Sequence, residues 1–579
     1  MLPHKTIEDR LKTAVKAVLP DADTSSVLVR PCPDPKFGDY QSNALMSLAK
    51  ARKMNPRQVA ADIVAKLDVS DICEPVEIAG AGFLNFRLKP GTVAEALQSA
   101  ARGEHLFFEK ASSLRTVVVD FSSPNVAKPM HVGHIRSTIL GDSLARVLRL
   151  LGHKVITDNH IGDWGTQFGK LIVGWKRHLD QAALKADPIA EMERLYKLVN
   201  AASETDPAVL EEARQELVKL QQGDEENLRI WREMIALSQV QFDTVYGRLD
   251  IKFDHTLGES SYNARLQPIV DELRQKGIAR ESEGAIIVTF DDNPQLKGNP
   301  AIIQKSDGAF NYATTDLATL AHRLENWHPN EIIYVTDGRQ QLHFQQVFAA
   351  FRRWHPESKV KLAHVWFGSI LGEDGKPFKT RAGEIVKLAD LLDEAEERAF
   401  KVVSDKSPEL PEAQRREIAR VIGLGAIKYA DLLPNRQSDY VFSWDKMLAL
   451  HGNTAVYLLY AYARIRGIFR KGATRTGQEA RPTEEGRAII LSAPQELAIA
   501  KHLLNFGLIL EAVADEYRPN FLCNYLYELA GHFTAFFENC PVLKSEPEIR
   551  ASRLALCNLT ARVLKQGLSV LGINTLEQM

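Results

Sequence analysis

In HIRSTILGDSLARVLRLLG the apolar residues Ile135, Ile139, Leu140, Leu144, Val147, Leu148 and Leu151 recur at three- and four-residue intervals, which predicts a helix. Gly152 stands where a left-handed C-cap residue belongs. Upstream, TVVVDF is a continuous β-branched run of the kind buried in a parallel sheet, and KVIT supplies the next strand. A strand, helix and strand in that order predict a right-handed crossover in a doubly wound sheet, with ligands at the C-terminal strand ends. The intervening loop SSPNVAKPMHVGH is therefore where a site belongs.

The flanking segments have other patterns. Residues 1–110 mix a helical stretch, DRLKTAVKAVL, with strand-like SSVLVR, EPVEIAG and GFLNFRL, which predicts a small α+β module. The sheet domain is expected over 111–400. Charged helical stretches such as EMERLYKLV, EEARQELVKLQQ and ENLRIWREMIALSQV precede strand-like AIIVTF, and together they mark an insertion at about 175–304. The sheet pattern resumes near Asn311 through EIIYVTD and HVWFGSIL and closes with LADLLDEAEERAFKVV. After SPELPEAQ the chain, taken as 401–579, is almost wholly helical, with Leu522, Tyr525, Leu526, Leu529, Phe533, Phe536 and Phe537 spaced for the core of an all-α bundle.

Composition narrows the class. A chain of 579 residues, 45% hydrophobic and 25% charged, is an ordinary globular protein of several domains. Its net charge of -2 means that a nucleic-acid partner would have to meet local basic surfaces. The five cysteines are scattered without a CxxC pair, so neither a disulfide framework nor a cysteine zinc site is supported, and reduced thiols in a cytoplasmic protein are expected. MLPHKTIEDR lacks the apolar core of a signal peptide, and no stretch reaches about 18 uninterrupted apolar residues, so no membrane association is expected.

The segment FSSPNVAKPMHVGH suits a nucleoside triphosphate. Helix N-terminal N–H groups favour anions, Gly133 lets a flat base approach the backbone, His131 and His134 can donate to phosphate oxygens, and Lys128 adds a mobile cation. The alternatives are that the two histidines form a structural cap or ligate a metal. The metal alternative is weakened because no third ligand follows at a familiar spacing. Neither a GxGxxG after the first strand nor a Walker A string occurs.

VDFSSPNVAKPMHVGHIRSTILGD, DNHIGDWGTQFG and DGKPFKTRAG with VKLADLL resemble the signatures of the arginyl-tRNA synthetases, class I aminoacyl-tRNA synthetases. The resemblance covers nearly the whole chain. It implies a HUP-type Rossmann catalytic domain with a helical insertion, an N-terminal tRNA-contacting module and a C-terminal anticodon-binding domain. The activity it implies is ATP-dependent activation of L-arginine to arginyl-adenylate and transfer to the 3'-terminal adenosine of tRNA(Arg), with arginine activated only when tRNA is bound. Mg2+ is expected to accompany ATP with no dedicated protein metal site, and the protein is expected to be a monomer. HVGH matches the HIGH-type motif, whereas the KMSK-type loop is replaced by PFKTRAG, with Pro377 and Thr380 at the lysine positions. The resemblance implies that Lys128 compensates. Lys376, Lys379 and Arg381 are candidates for pyrophosphate contacts, with a solvated basic turn as the equal alternative.

A guanidinium is planar, always charged and rich in donors, so its pocket must offer acceptors in fixed directions. The resemblance places Tyr312 and Asp316, four apart, at the arginine side chain; Asp316 could instead complement a helix N-terminus. It adds Asp120, Ser123, Asn125 and Gln340 as arginine-binding residues. Gly162, Trp164 and Gly165 are expected to form the floor of the site, or else a glycine-rich turn with a core tryptophan. In YLLYAYARIRGIFR, Tyr457, Tyr460, Arg464 and Arg466 combine rings with cations suited to unstacked bases; Tyr460 and Arg464 are the tRNA-binding candidates, with aromatic core packing as the alternative. Phe83 and Asn85 are the corresponding candidates for the tRNA elbow. A small-molecule nucleotidylyltransferase and a non-catalytic RNA-binding paralogue are the competing classes.

Overall fold

A computed structural model describes residues 2–378, 386–476 and 489–579. Lys379 and Arg381 thus lie outside the described residues. The chain forms two compact units, one of Met1–Lys110, Ala449–Ser569 and Asn574–Met579, the other of Ala111–Leu448 and Val570–Ile573.

The second unit is built on a parallel sheet. Its strands are β1 (Thr116–Asp120), β2 (Lys154–Asn159), β3 (His255–Thr256), β4 (Glu331–Tyr334) and β5 (Lys361–His364), in the order β5-β4-β1-β2-β3. Helix α1 (Val132–Leu150) joins β1 to β2, α2 (Glu225–Arg248) precedes β3, α3 (Tyr312–Trp327) precedes β4 and α4 (Gln341–Trp354) joins β4 to β5. Val118 of β1 pairs with Ile156 on one side and Ile332 on the other. Val117, Val118 and Val119 are all fully buried, because helices cover both faces of the sheet; each contributes about 1.5–3 kcal/mol by leaving water. The chain leaves β1 toward β2 but reaches the other side only through β4, so the switch point lies at the C-terminal end of β1.

The apolar stripe read in α1 is wholly buried, and Gly152 follows the helix at φ +92° as expected. The polar face of α1 is buried too. Helices Leu388–Lys406 and Glu412–Leu432 pack on it, and the Arg136 guanidinium meets the Asp431 carboxylate at 3.1 Å in the interior. Gly423 allows that helix pair to close, since a Cβ there would lie 2.7 Å from the Ala395 carbonyl oxygen. This packing carries the unit past residue 400, to Leu448.

Three other local expectations change. SSVLVR forms a strand only at Arg30–Pro31, because Val29 N–H donates to Glu8 Oε2 at 3.0 Å instead of to a ladder partner. The stretch 175–304 is not continuous insertion, since His255–Thr256 returns to pair with β2; AIIVTF joins a separate three-stranded antiparallel sheet. HVWFGSIL leaves the main sheet after His364, and Ile370–Leu371 pairs instead with Tyr440–Val441.

Within the insertion, helix Gln167–His178 lies against Pro207–Gln221 at Gly169, where a Cβ would fall 2.1 Å from the Ala213 carbonyl oxygen. Gly169→Ala is expected to cost about 1–3 kcal/mol by forcing those helices apart, read as a lower thermal midpoint.

The first unit holds an antiparallel sheet, Arg30–Pro31, Tyr40–Ser42, Phe83–Phe86 and Glu77–Ala79 in that order, with helices Pro3–Val18, Ala44–Ala51, Pro56–Val64 and Pro90–Ala101. The C-terminal helices share this unit. Lys501 meets Asp39 at 2.8 Å, Lys5 meets Glu511 at 2.7 Å, and Gly507 N–H donates to the Phe107 carbonyl at 3.0 Å. By length and composition Pro494–Glu516 could cross a membrane, but here it is two helices, over half buried. Cys73, Cys523, Cys540 and Cys557 are buried free thiols and Cys32 is partly exposed.

Candidate active site

The loop between β1 and α1 is held in an unfavourable conformation. Ser122, Ser123 and Ala127 have φ of 75°, 49° and 61°, which for residues with side chains costs of order 1–3 kcal/mol each. A dense set of hydrogen bonds offsets that cost. Ser122 N–H donates to Ser137 Oγ at 2.8 Å, Ser122 Oγ lies 2.7 Å from Tyr246 Oη, and Ser123 N–H donates to Asn159 Oδ1 at 3.0 Å. Ala127 N–H donates to Ser238 Oγ at 3.0 Å. Across the loop Val126 N–H donates to the Gly162 carbonyl and Gly162 N–H donates to the Pro124 carbonyl, each at 3.0 Å.

Helix α2 of the insertion is the brace beneath this loop. Trp231, Ser238 and Tyr246 follow one another at seven- and eight-residue steps and share a face; Trp231 Nε1 donates to the Asp163 carbonyl at 2.9 Å. Trp164 packs edge-on against Trp231 at 5.7 Å. Gly162 must lack a side chain because a Cβ would lie 2.4 Å from Asn125 Oδ1, and Gly165 sits at φ +136°.

His131 is the N-cap of α1. Its Nδ1 accepts from Gly133 N–H at 3.0 Å, and His134 Nδ1 accepts from His131 N–H at 3.1 Å, with the rings 4.0 Å apart. The capping reading is thus right for one edge of each ring, and it decides the chemistry of the other. Burial, then Lys128 and Arg339, lower the His131 pKa; burial, then His131, push His134 down to about 3. A neutral imidazole whose Nδ1 accepts carries its proton on Nε2, so both rings present Nε2–H donors rather than metal-binding lone pairs. Among the described residues no group of three or more His, Cys, Asp or Glu is arranged to hold a metal ion. Gly133 also keeps a Cβ from falling 2.8 Å from His131 Cε1.

Cations surround the motif. Lys128 is exposed, with Nζ 5.4 Å from the ring centroid of Tyr196 in the insertion. Arg339, paired with Asp337 at 2.9 Å, is close enough to His131 to depress its pKa, and the sequence reading passed over it. Lys376 lies on an exposed hairpin turn closed by a Leu371–Pro377 bridge. The chain emerging from PFKTRAG runs beside the histidines, since Val132 N–H donates to the Val386 carbonyl and Leu388 N–H to that of Met130, each at 2.9 Å.

An acidic group lies beyond the loop. Asp316, one turn into α3, places Oδ2 2.5 Å from His343 Nε2, while Tyr312 in the first turn is 70% exposed. Glu259 faces Asp316 and Asp163 and takes a hydrogen bond from Trp164 N–H; burial, then those two carboxylates, push its pKa up to about 8. Asp163 is itself fixed by Ser260 N–H at 2.8 Å and Ser260 Oγ at 2.6 Å. Trp164 therefore links the acids to Gly162 and, through it, to the loop of Asn125 and His131. Gln340, exposed, ends the turn that leads into α4. The sequence reading missed Glu259 and His343; the only available signals were an acid in GESSY and a histidine three residues beyond Gln340.

Asp120 requires correction. It is 4% exposed, its Oδ2 is 2.5 Å from Arg323 Nη2, and Arg323, fully buried, also meets Asp158 at 2.8 Å. Its charge is matched inside the protein, by an arginine far along the chain, and is not a free anion awaiting a substrate. Ser123 Oγ donates to the other Asp120 oxygen at 3.3 Å. Asn85 is 4% exposed, in the strand where it pairs with Gln41 on one side and Glu77 on the other. Phe83, beside it, is partly exposed. Tyr460 is 46% exposed and Arg464 stacks at 5.6 Å on its ring and 5.0 Å on Phe537; with Leu543 and Met579 they line a cavity of about 760 Å³. Arg466 instead pairs with Glu577 at 2.6 Å.

A parallel sheet whose central strand leads through a strained loop into an HVGH-capped helix defines a class I aminoacyl-tRNA synthetase core. The description of the catalytic domain of class I (R) tRNA synthetases matches residues 93–444, that of the arginyl tRNA synthetase N-terminal domain matches 5–88, and that of the DALR anticodon binding domain matches 458–579. The chain is 46% identical over 589 residues to an arginine–tRNA ligase of Synechococcus elongatus and 45% identical over 588 to one of Chromobacterium violaceum, with 100% of each chain covered. The crystal structure of arginyl-tRNA synthetase from Plasmodium falciparum is similar at a TM-score of 0.82 and 31% identity, covering 100% of this chain and 99% of that one. That of Thermus thermophilus gives 0.82 at 26%, covering 100% of both. The chain belongs to the arginyl-tRNA synthetase family and is a ligase.

Proposed function

We propose that this cleft makes arginyl-tRNA in two steps, with arginine, ATP and tRNA(Arg) as substrates. The observation that supports it most is the pair of imidazoles capped on Nδ1 and protonated on Nε2, joined through Gly162 and Trp164 to the acids Asp316 and Glu259. One end donates to phosphate; the other accepts a cation.

In the first step the arginine carboxylate oxygen attacks the α-phosphorus of ATP in line, and the bond to the β-phosphate breaks as pyrophosphate leaves. His131 and His134 donate to the α-phosphate oxygens as charge builds there. Lys128, Arg339 and Lys376 are assigned to the departing pyrophosphate, and Lys379 and Arg381, outside the described residues, are candidates for the same contacts. Mg2+ entering on the triphosphate would neutralise part of its charge, and no protein residue is assigned to it. Tyr312, Asp316, Glu259 and Gln340 orient the arginine side chain, while Ser123 and Asn125 hold its polar head group. In the second step the 2'-hydroxyl of the terminal adenosine forms an ester with the activated carbonyl and AMP departs. Catalysis is positioning and electrostatics, with no covalently modified side chain.

Tyr460, Arg464 and the cavity they line are proposed to take unstacked anticodon bases, and Phe83 to touch the tRNA elbow. A cytoplasmic monomer is the proposed working form. Charging of unfractionated tRNA by the purified protein tests the function: arginine should be esterified in the presence of ATP, lysine and citrulline should not, and failure to charge arginine would overturn it.

A further inference from the structure

His343 lies on the first turn of α4, three residues after Gln340, and its Nε2 is 2.5 Å from Asp316 Oδ2. We infer that His343 is a positioning residue for arginine, one that fixes the Asp316 carboxylate and, by taking or losing a proton, sets how much of its negative charge is left for the substrate guanidinium. The inference rests on the reading that Asp316 receives that guanidinium.

The surroundings leave few other roles for the ring. The His343 ring lies 5.3 Å from that of Phe344, edge-on, and Phe344 also packs on Tyr334 and His364. Asp316 has two oxygens. With Oδ2 held by Nε2–H, Oδ1 remains to receive the substrate guanidinium. The neutral imidazole with its proton on Nε2 makes this bond while leaving the carboxylate charge intact; the imidazolium makes it too but cancels the charge.

Burial alone would depress the His343 pKa, yet the hydrogen bond and charge of Asp316 raise it above the ordinary histidine value. The other charged groups that face this pair are Glu259, whose pKa the Asp316 charge helps to raise, and His364, which burial, then Arg436 and His343, hold down to about 4 so that it stays neutral. Asp337 and Arg436 act on His364 and not directly on the pair.

The sign follows. Below the raised His343 pKa the imidazolium competes with the substrate cation, so the arginine KM should rise as pH falls. Glu259 adds a second transition of the same sign near its pKa of about 8, because its carboxyl is neutral below that value. The test is the arginine KM and kcat for tRNA charging between about pH 6 and pH 9 in wild type, His343→Gln, His343→Ala and Glu259→Gln. Gln places an amide N–H near the position of Nε2 but does not titrate. His343→Gln should keep KM within about three-fold of wild type near pH 8 and lose one of the two transitions, whereas Glu259→Gln should lose the other, the one near pH 8. His343→Ala should raise KM by about ten-fold with a much smaller change in kcat. Two transitions that both survive in His343→Gln, or an alanine effect carried by kcat alone, overturn the inference. Asp316→Asn with an unchanged arginine KM would instead overturn the reading beneath it.

Discussion

Removing the Nε2–H donor of His134 should lower ATP–pyrophosphate exchange, measured with tRNA present, by about 10²–10³-fold, the loss seen when one donor to a developing oxyanion is deleted. Arginine should still bind, because His134 belongs to the phosphate end of the cleft. His134 also accepts the His131 N–H, so His134→Ala removes a cap worth about 1 kcal/mol along with the donor. His134→Asn separates the two: its Oδ1 can take the place of Nδ1 and keep the cap, but nothing reaches the Nε2 position. Equal losses in Ala and Asn variants of normal thermal stability identify the donor as the cause. Wild-type exchange in His134→Asn would reduce the histidine to its capping role.

The second large effect is expected at the opposite end. Asp316→Asn keeps shape and one acceptor but removes the charge that faces a guanidinium in a half-buried site. Breaking a charge pair by neutralising one partner costs about 3–5 kcal/mol where it is buried, and here, with partial solvent access, about 2–4 kcal/mol. The arginine KM should therefore rise by about 30- to 10³-fold while the ATP KM moves little. If ATP and arginine affinities fall together, Asp316 supports the cleft as a whole and does not select the substrate.

The histidine motif and its phosphate chemistry were legible because helix, cap and loop are contiguous: a β-branched run, a polar loop and a three-to-four apolar period lie within 116–151. The acids were only half legible. Tyr312 and Asp316 share a helix turn, but Glu259 and His343 reach Asp316 from segments 57 residues before it and 27 residues after it, and no local pattern marks such a meeting. Asp120 was misread for the same reason, since its partner Arg323 lies 203 residues away. The burial of Asn85 was illegible for another reason. A strand alternates its faces, but which face is covered depends on the helices packed against the sheet.

By itself the sequence determined the β1–α1–β2 core, the loop that carries HVGH and the family to which they belong, because these follow from short-range periodicity and from motifs read in order. Tertiary structure decided the rest. It buried both faces of α1, carried the second unit to Leu448, drew His255–Thr256 into the sheet and set the charge state of each acid and imidazole in the cleft. Burial and charge pairing depend on distances through space, and a linear pattern of residue types does not contain them.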